Sequence, residues 1–188
     1  MNRRELVRAA LAAPALGMPL LARAHHGWSS FDQDRPIYLE GRVTKARWQN
    51  PHAELELEVP TGLAVPADLA RRAVPAQSAP VDGQALLARA VVPNRKDRRW
   101  EIELAPLTRM NAWSVPEIKV GDAISVVGFI FKEEKGEPIL RVEYLFAGGK
   151  AYGLRSSPAL NPKNVPPGPF LKPMPGCLSW PRRRTPAS

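Results

Sequence analysis

Residues 53–59, AELELEV, alternate without exception between apolar and acidic side chains. Leu55, Leu57 and Val59 share one face of an extended chain, and Glu54, Glu56 and Glu58 the other. A period of two is incompatible with a helix and requires a strand with one dry and one wet face. Arg99–Ala105 (RWEIELA) repeats the pattern, with Trp100, Ile102 and Leu104 on its apolar side. Ile37–Trp48 (IYLEGRVTKARW) is rich in sheet-favouring residues. Ala123–Lys132 (AISVVGFIFK) is the most apolar stretch, and Ile139–Phe146 (ILRVEYLF) follows a Gly136 turn. Pro106–Trp113 has the composition of a short helix.

Three strands, a short helical element and two strands form the order of an OB-like barrel, a five-stranded, partly open Greek key. The expected fold class is therefore all-β. An open meander or small sandwich is the alternative. Gly41 and Gly128, each inside a strand, suit the bends of a barrel. Pro60–Asn94 breaks the pattern: it is rich in Ala and Pro, with helical stretches at Ala67–Ala73 and Gly83–Ala90. It reads as an insertion rather than core.

The ends differ from the middle. Residues 1–24 (MNRRELVRAALAAPALGMPLLARA) have a basic start, a mildly apolar centre and Ala22-Arg23-Ala24, an A-x-A cleavage pattern. Arg3-Arg4 followed by Leu6, Val7 and Arg8 resembles a twin-arginine export signal. The apolar run is too short for a permanent span, so the expected location is periplasmic or secreted, with no integral membrane span after cleavage. Residues 153–188 are basic and Pro-rich and read as a disordered tail. The expected domains are thus a signal at 1–24, a barrel at 25–152 with its insertion at 60–94, and the tail.

Of the total charge of +9, the first 24 residues hold +3 and residues 150–188 hold +7, leaving the rest at −1. A basic patch on the domain is the footprint of a nucleic-acid partner. Here the charge lies on the two ends, so nucleic acid is set aside. The one cysteine, Cys177, lies in the tail and permits no intramolecular disulfide.

The chain has three histidines. His25 and His26 follow the cleavage point, and His52 lies in Asn50-Pro51-His52. Cleavage after Ala24 gives His25 an α-amine and an imidazole on one residue. Together with the imidazoles of His26 and His52 they form a nitrogen donor set suited to Cu(II). Three neutral imidazoles with water suit zinc, the second choice. Asp32 is a weak ligand or orients a histidine through a hydrogen bond. The alternative is a metal-free module that binds an envelope protein, peptide or glycan through Trp28, Trp48, Trp100 and Trp113. Ser29 and Ser30 lack the elbow of a nucleophile, and nothing marks a substrate cleft. No catalytic residue is assigned, and the chain reads as a binding protein rather than an enzyme.

Ala24-His25-His26, Phe31-Asp32, Gly41-Arg42-Val43, Trp48-Gln49-Asn50-Pro51-His52, Trp100-Glu101-Ile102-Glu103 and Gly121-Asp122 together resemble a bacterial exported family of unknown function. Its mature members begin A-H-H-S-x-x-x-F-D and carry W-x-N-P-H. The resemblance implies a small β-barrel-like fold and an exported address, with no activity attached. It also singles out Glu103 over Glu101. Gly27 stands where the family has serine, and the insertion and tail are atypical of it.

Overall fold

The structure, a computed structural model, describes residues 27–159. Six strands form one sheet: β1 (Ile37–Arg47), β2 (Glu54–Glu58), β3 (Arg99–Glu103), β4 (Ala123–Phe129), β5 (Ile139–Ala147) and β6 (Lys150–Gly153). Helix α1 spans Gly83–Arg89 and helix α2 spans Leu107–Ala112. Antiparallel neighbours run β3-β2-β1-β4-β5-β6, and a parallel pairing of β3 with β5 joins Glu101, Ile102 and Glu103 to Ile139, Leu140 and Arg141. That pairing closes β1 to β5 into a barrel and excludes the open meander. The expected order, with α2 between β3 and β4, is the observed one. The sixth strand, absent from the sequence reading, lies outside the barrel. It follows Gly148-Gly149, whose φ values of 56° and 74° make a tight turn that glycine alone adopts without strain.

The apolar face of each alternating strand points inward. Leu55, Leu57, Trp100, Ile102, Leu140 and Val142 are all at most 2% exposed, and Met110 of α2 joins them. The acidic face of β2 is paired across the strand: Glu56 with Lys45 at 2.7 Å, and Glu54 with Arg47. Gly41 and Gly128 stand where a neighbouring strand comes close. A side chain at Gly41 would collide with the Glu58 carbonyl, and one at Gly128 with that of Arg141.

A second core covers the outside of the sheet. Leu69, Leu86 and Leu87 of the insertion pack with Phe31, Tyr38, Val127, Phe129 and Tyr144. Burying a leucine contributes about 1.5–3 kcal/mol, so the insertion is part of the core, contrary to the sequence reading. The Asp82 carboxylate caps α1 by accepting from the Ala85 amide at 3.0 Å. Residues 153–159, which fall in the expected tail, pack against the same insertion. The Ser78 amide donates to the Ser157 carbonyl and the Ser156 amide to Gln77 Oε1, while Leu154, 1% exposed, joins the inner core. Residues 160–188 lie outside the described residues.

Candidate functional site

The Asn-Pro-His turn is fixed from both sides. The Asn50–Pro51 bond is cis, and Asn50 Oδ1 accepts from the Leu107 amide at 3.4 Å, at the start of α2. The Ala53 amide donates to the Ala105 carbonyl, and the Leu104 amide to the Ala53 carbonyl. These bonds hold His52 beside the end of β3, where Glu103 lies. His52 Nδ1 is 3.8 Å from Glu103 Oε1, and the His52 side chain is 24% exposed. That separation is an electrostatic contact, longer than a hydrogen bond.

Glu103 points away from the barrel interior yet is buried. The parallel pairing sets it opposite Arg141. Arg141 Nε donates to Glu103 Oε2 at 3.2 Å and Arg141 Nη2 donates to Oε1, so the pair is two-pronged. Both side chains are 9% exposed. Water is kept off by the lead-in: the Arg141 guanidinium carbon lies 5.3 Å from the Trp28 ring centre and 5.0 Å from that of Phe31. Phe31 in turn stacks on Phe131 at 4.9 Å.

A second buried pair lies alongside. The register of β4 and β5 shifts between Val127 and Gly128, which leaves Glu143 as the extra residue of a bulge. Its side chain is fully buried, accepting from Gln77 Nε2 at 2.8 Å and Arg155 Nε at 2.6 Å. Burial pushes the Glu143 carboxyl above its ordinary range, against the pull of Arg155 and Gln77. Arg155 also covers Trp28, at 4.0 Å from the ring centre, and donates to Gln33 Oε1 at 3.0 Å. Gln33 Nε2 donates to the Trp28 carbonyl at 3.2 Å. Trp28 is therefore held by two guanidinium groups, each tied to a buried carboxylate. Arg109, whose pKa burial lowers, donates to the Leu154 carbonyl and secures the segment that carries Arg155.

Of the expected site residues, His25 and His26 lie outside the described residues. His52 is brought to Glu103. The Asp32 carboxylate closes a local turn by accepting from the Asp34 amide at 3.2 Å. It lines a separate cavity with Arg35, Asn94 and Glu134, and His52 is not part of that lining. Among the described residues, no group of three or more His, Cys, Asp and Glu side chains is arranged to hold a metal ion. The four tryptophans do not line one groove: Trp100 is core, Trp48 and Trp113 pack against the inner core, and Trp28 lies outside the barrel.

Sequence reasoning missed Arg141, Glu143, Gln77 and Arg155. Two charges inside ILRVEYLF, otherwise the dry strand of a barrel, were the available signal, because buried charges demand partners. Among the described residues no helix is long and apolar enough to cross a membrane.

No curated protein matches the chain. Residues 15–65, well under half of the chain, match a family of unknown function, DUF6152. The match takes in the lead-in, β1, the Asn-Pro-His turn and β2, so this part of the chain is similar to an uncharacterised family.

Proposed function

We propose that this chain is an exported small β-barrel protein whose mature form begins at His25. It binds a transition metal, copper in preference to zinc, through His25, His26 and His52. One observation carries the reading. Trp28, two residues beyond His26, is linked to His52 by three successive contacts: Trp28 to Arg141 at 5.3 Å, Arg141 to Glu103 at 3.2 Å and Glu103 to His52 at 3.8 Å. An extended chain covers about 10 Å in three residues, so the lead-in tethers His25 and His26 within that reach of Trp28.

The donor chemistry fits. A metal-bound imidazole commonly gives its other ring N–H to a carboxylate, and the carboxylate next to His52 Nδ1 is Glu103. The orienting part that the sequence suggests for Asp32 passes to Glu103 in this proposal. His52 Nε2 is then the donor, and the amine and imidazole of His25 favour Cu(II). The proposal assigns binding and no catalysis.

The test is to isolate the exported form, sequence its N-terminus and titrate it with Cu(II), read by electron paramagnetic resonance. The expected result is a start at His25 and one equivalent bound with several nitrogen ligands. A His52→Ala substitution is expected to lower affinity and remove one nitrogen from the spectrum. A different start, or unchanged binding in His52→Ala, overturns the reading.

A further inference from the structure

A cavity of about 980 Å³ lies apart from the His52 and Trp28 contacts, and none of their residues lines it. Two additions to the five-stranded barrel build its walls. Arg72 comes from the insertion and Lys150 from β6, while Arg42 and Arg98 come from the barrel and the approach to β3. Four cations thus face two lining carboxylates, Glu40 and Glu58.

Two of the four, Arg98 and Arg72, already have a carboxylate partner, and Arg42 and Lys150 supply the rest of the positive charge. Arg98 meets Glu58 at 3.4 Å with both side chains well exposed, 60% and 45%. Arg72 pairs with Asp68, whose side chain is 59% exposed. The exposed Arg98–Glu58 pair contributes little and is readily exchanged, whereas Arg72, 28% exposed, is held by two hydrogen bonds to Asp68. Arg42 Nη1 donates to the Gly121 carbonyl at 2.5 Å, which orients the side chain without neutralising it. The Arg72 guanidinium also lies over the Phe146 ring at 5.4 Å and is thereby held at the cleft wall. The lining also includes small residues, Gly41, Ala123, Ser125 and Ala147 among them.

We propose that this cleft binds a small, multiply charged oxyanion, a carboxylate or phosphate compound held by Arg42, Arg72 and Lys150. Fixed guanidinium groups suit such groups because they donate two parallel hydrogen bonds. The site is independent of the metal reading.

The test is calorimetric titration of the full chain with citrate and with inorganic pyrophosphate, at constant ionic strength, against chloride as the control. Saturable binding of either is expected, and the tighter of the two identifies carboxylate or phosphate as the preferred group. Arg42→Gln with Lys150→Gln is expected to weaken binding about tenfold or more, as does Arg72→Gln. Lys45→Gln with Arg99→Gln, on another face, is expected to leave it unchanged. No binding beyond chloride, or equal weakening in the Lys45 and Arg99 control, overturns the proposal.

Discussion

Removing the Glu103 carboxylate tests whether the buried pair holds the lead-in to the barrel. In Glu103→Ala, Arg141 keeps its charge, because a guanidinium does not deprotonate at accessible pH. Its side chain is 9% exposed, so water cannot replace the lost partner without opening the structure. Stranding one member of a buried pair costs about 3–5 kcal/mol. The Trp28 and Phe31 faces still attract the cation, which places the expected loss near the lower end, about 3 kcal/mol. For a domain of this size that corresponds to a melting point lower by about 10 °C. Urea unfolding followed by circular dichroism measures it, with an unchanged slope showing that the unfolded reference is the same. Replacing both partners, Glu103→Leu with Arg141→Met, is expected to cost less than Glu103→Ala alone, since no charge is then buried. A loss below about 1 kcal/mol in Glu103→Ala is the range of a solvated surface pair, and it would refute the burial argument.

Two further outcomes follow from the same contacts. Leu87 is 1% exposed in the outer core, so Leu87→Ala is expected to cost about 2–5 kcal/mol by urea unfolding; a cost under about 1 kcal/mol would mark the insertion as an appended loop. Burial raises the Glu143 pKa in the folded state, so the folded protein binds that proton more tightly than the unfolded chain. Its stabilising contribution is therefore full below the ordinary carboxylate range and is lost as pH rises through the folded value. The stability of the wild type relative to Glu143→Gln should increase as the pH falls from neutral toward the ordinary carboxylate range. A difference that shrinks as the pH falls contradicts the sign. Glu56, Asp68, Asp97 and Glu134, whose pKa values are lowered by hydrogen-bonding partners, act in the opposite direction but cancel in this comparison.

The barrel was legible because each of its alternating strands has one dry and one wet face. Leu55, Leu57, Trp100 and Ile102 announce which face is which, and their burial follows the pattern. β5 was legible as a strand but not as a site. Arg141 and Glu143 find partners at residues 103, 77 and 155, and no local pattern encodes a contact made across such separations. The insertion misled for a compositional reason. Its helical stretch at 83–90 was legible and is α1, but its Ala- and Pro-rich sequence looks solvated, and the residues that turn toward the sheet, Leu69, Leu86, Leu87 and Ala90 with the partly buried Leu63, Val74 and Val81, are scattered without a single period. Leu154 and Arg155 were hidden in the same way by the proline-rich segment around them.

These failures share one cause. A closed barrel buries its inner face with its own strands, but burial of the outer face must be supplied from elsewhere in the chain. Here it comes from three separate places: the lead-in with Trp28 and Phe31, the insertion with its leucines, and the segment after β6 with Arg155. The charged residues of β5 lie under that cover, so their pairing depends on all three segments closing together. Trp28 and Arg155 come from opposite ends of the described chain and meet at 4.0 Å. Docking of the lead-in is therefore coupled to the burial of Glu143, whose partner Arg155 lies over the same tryptophan.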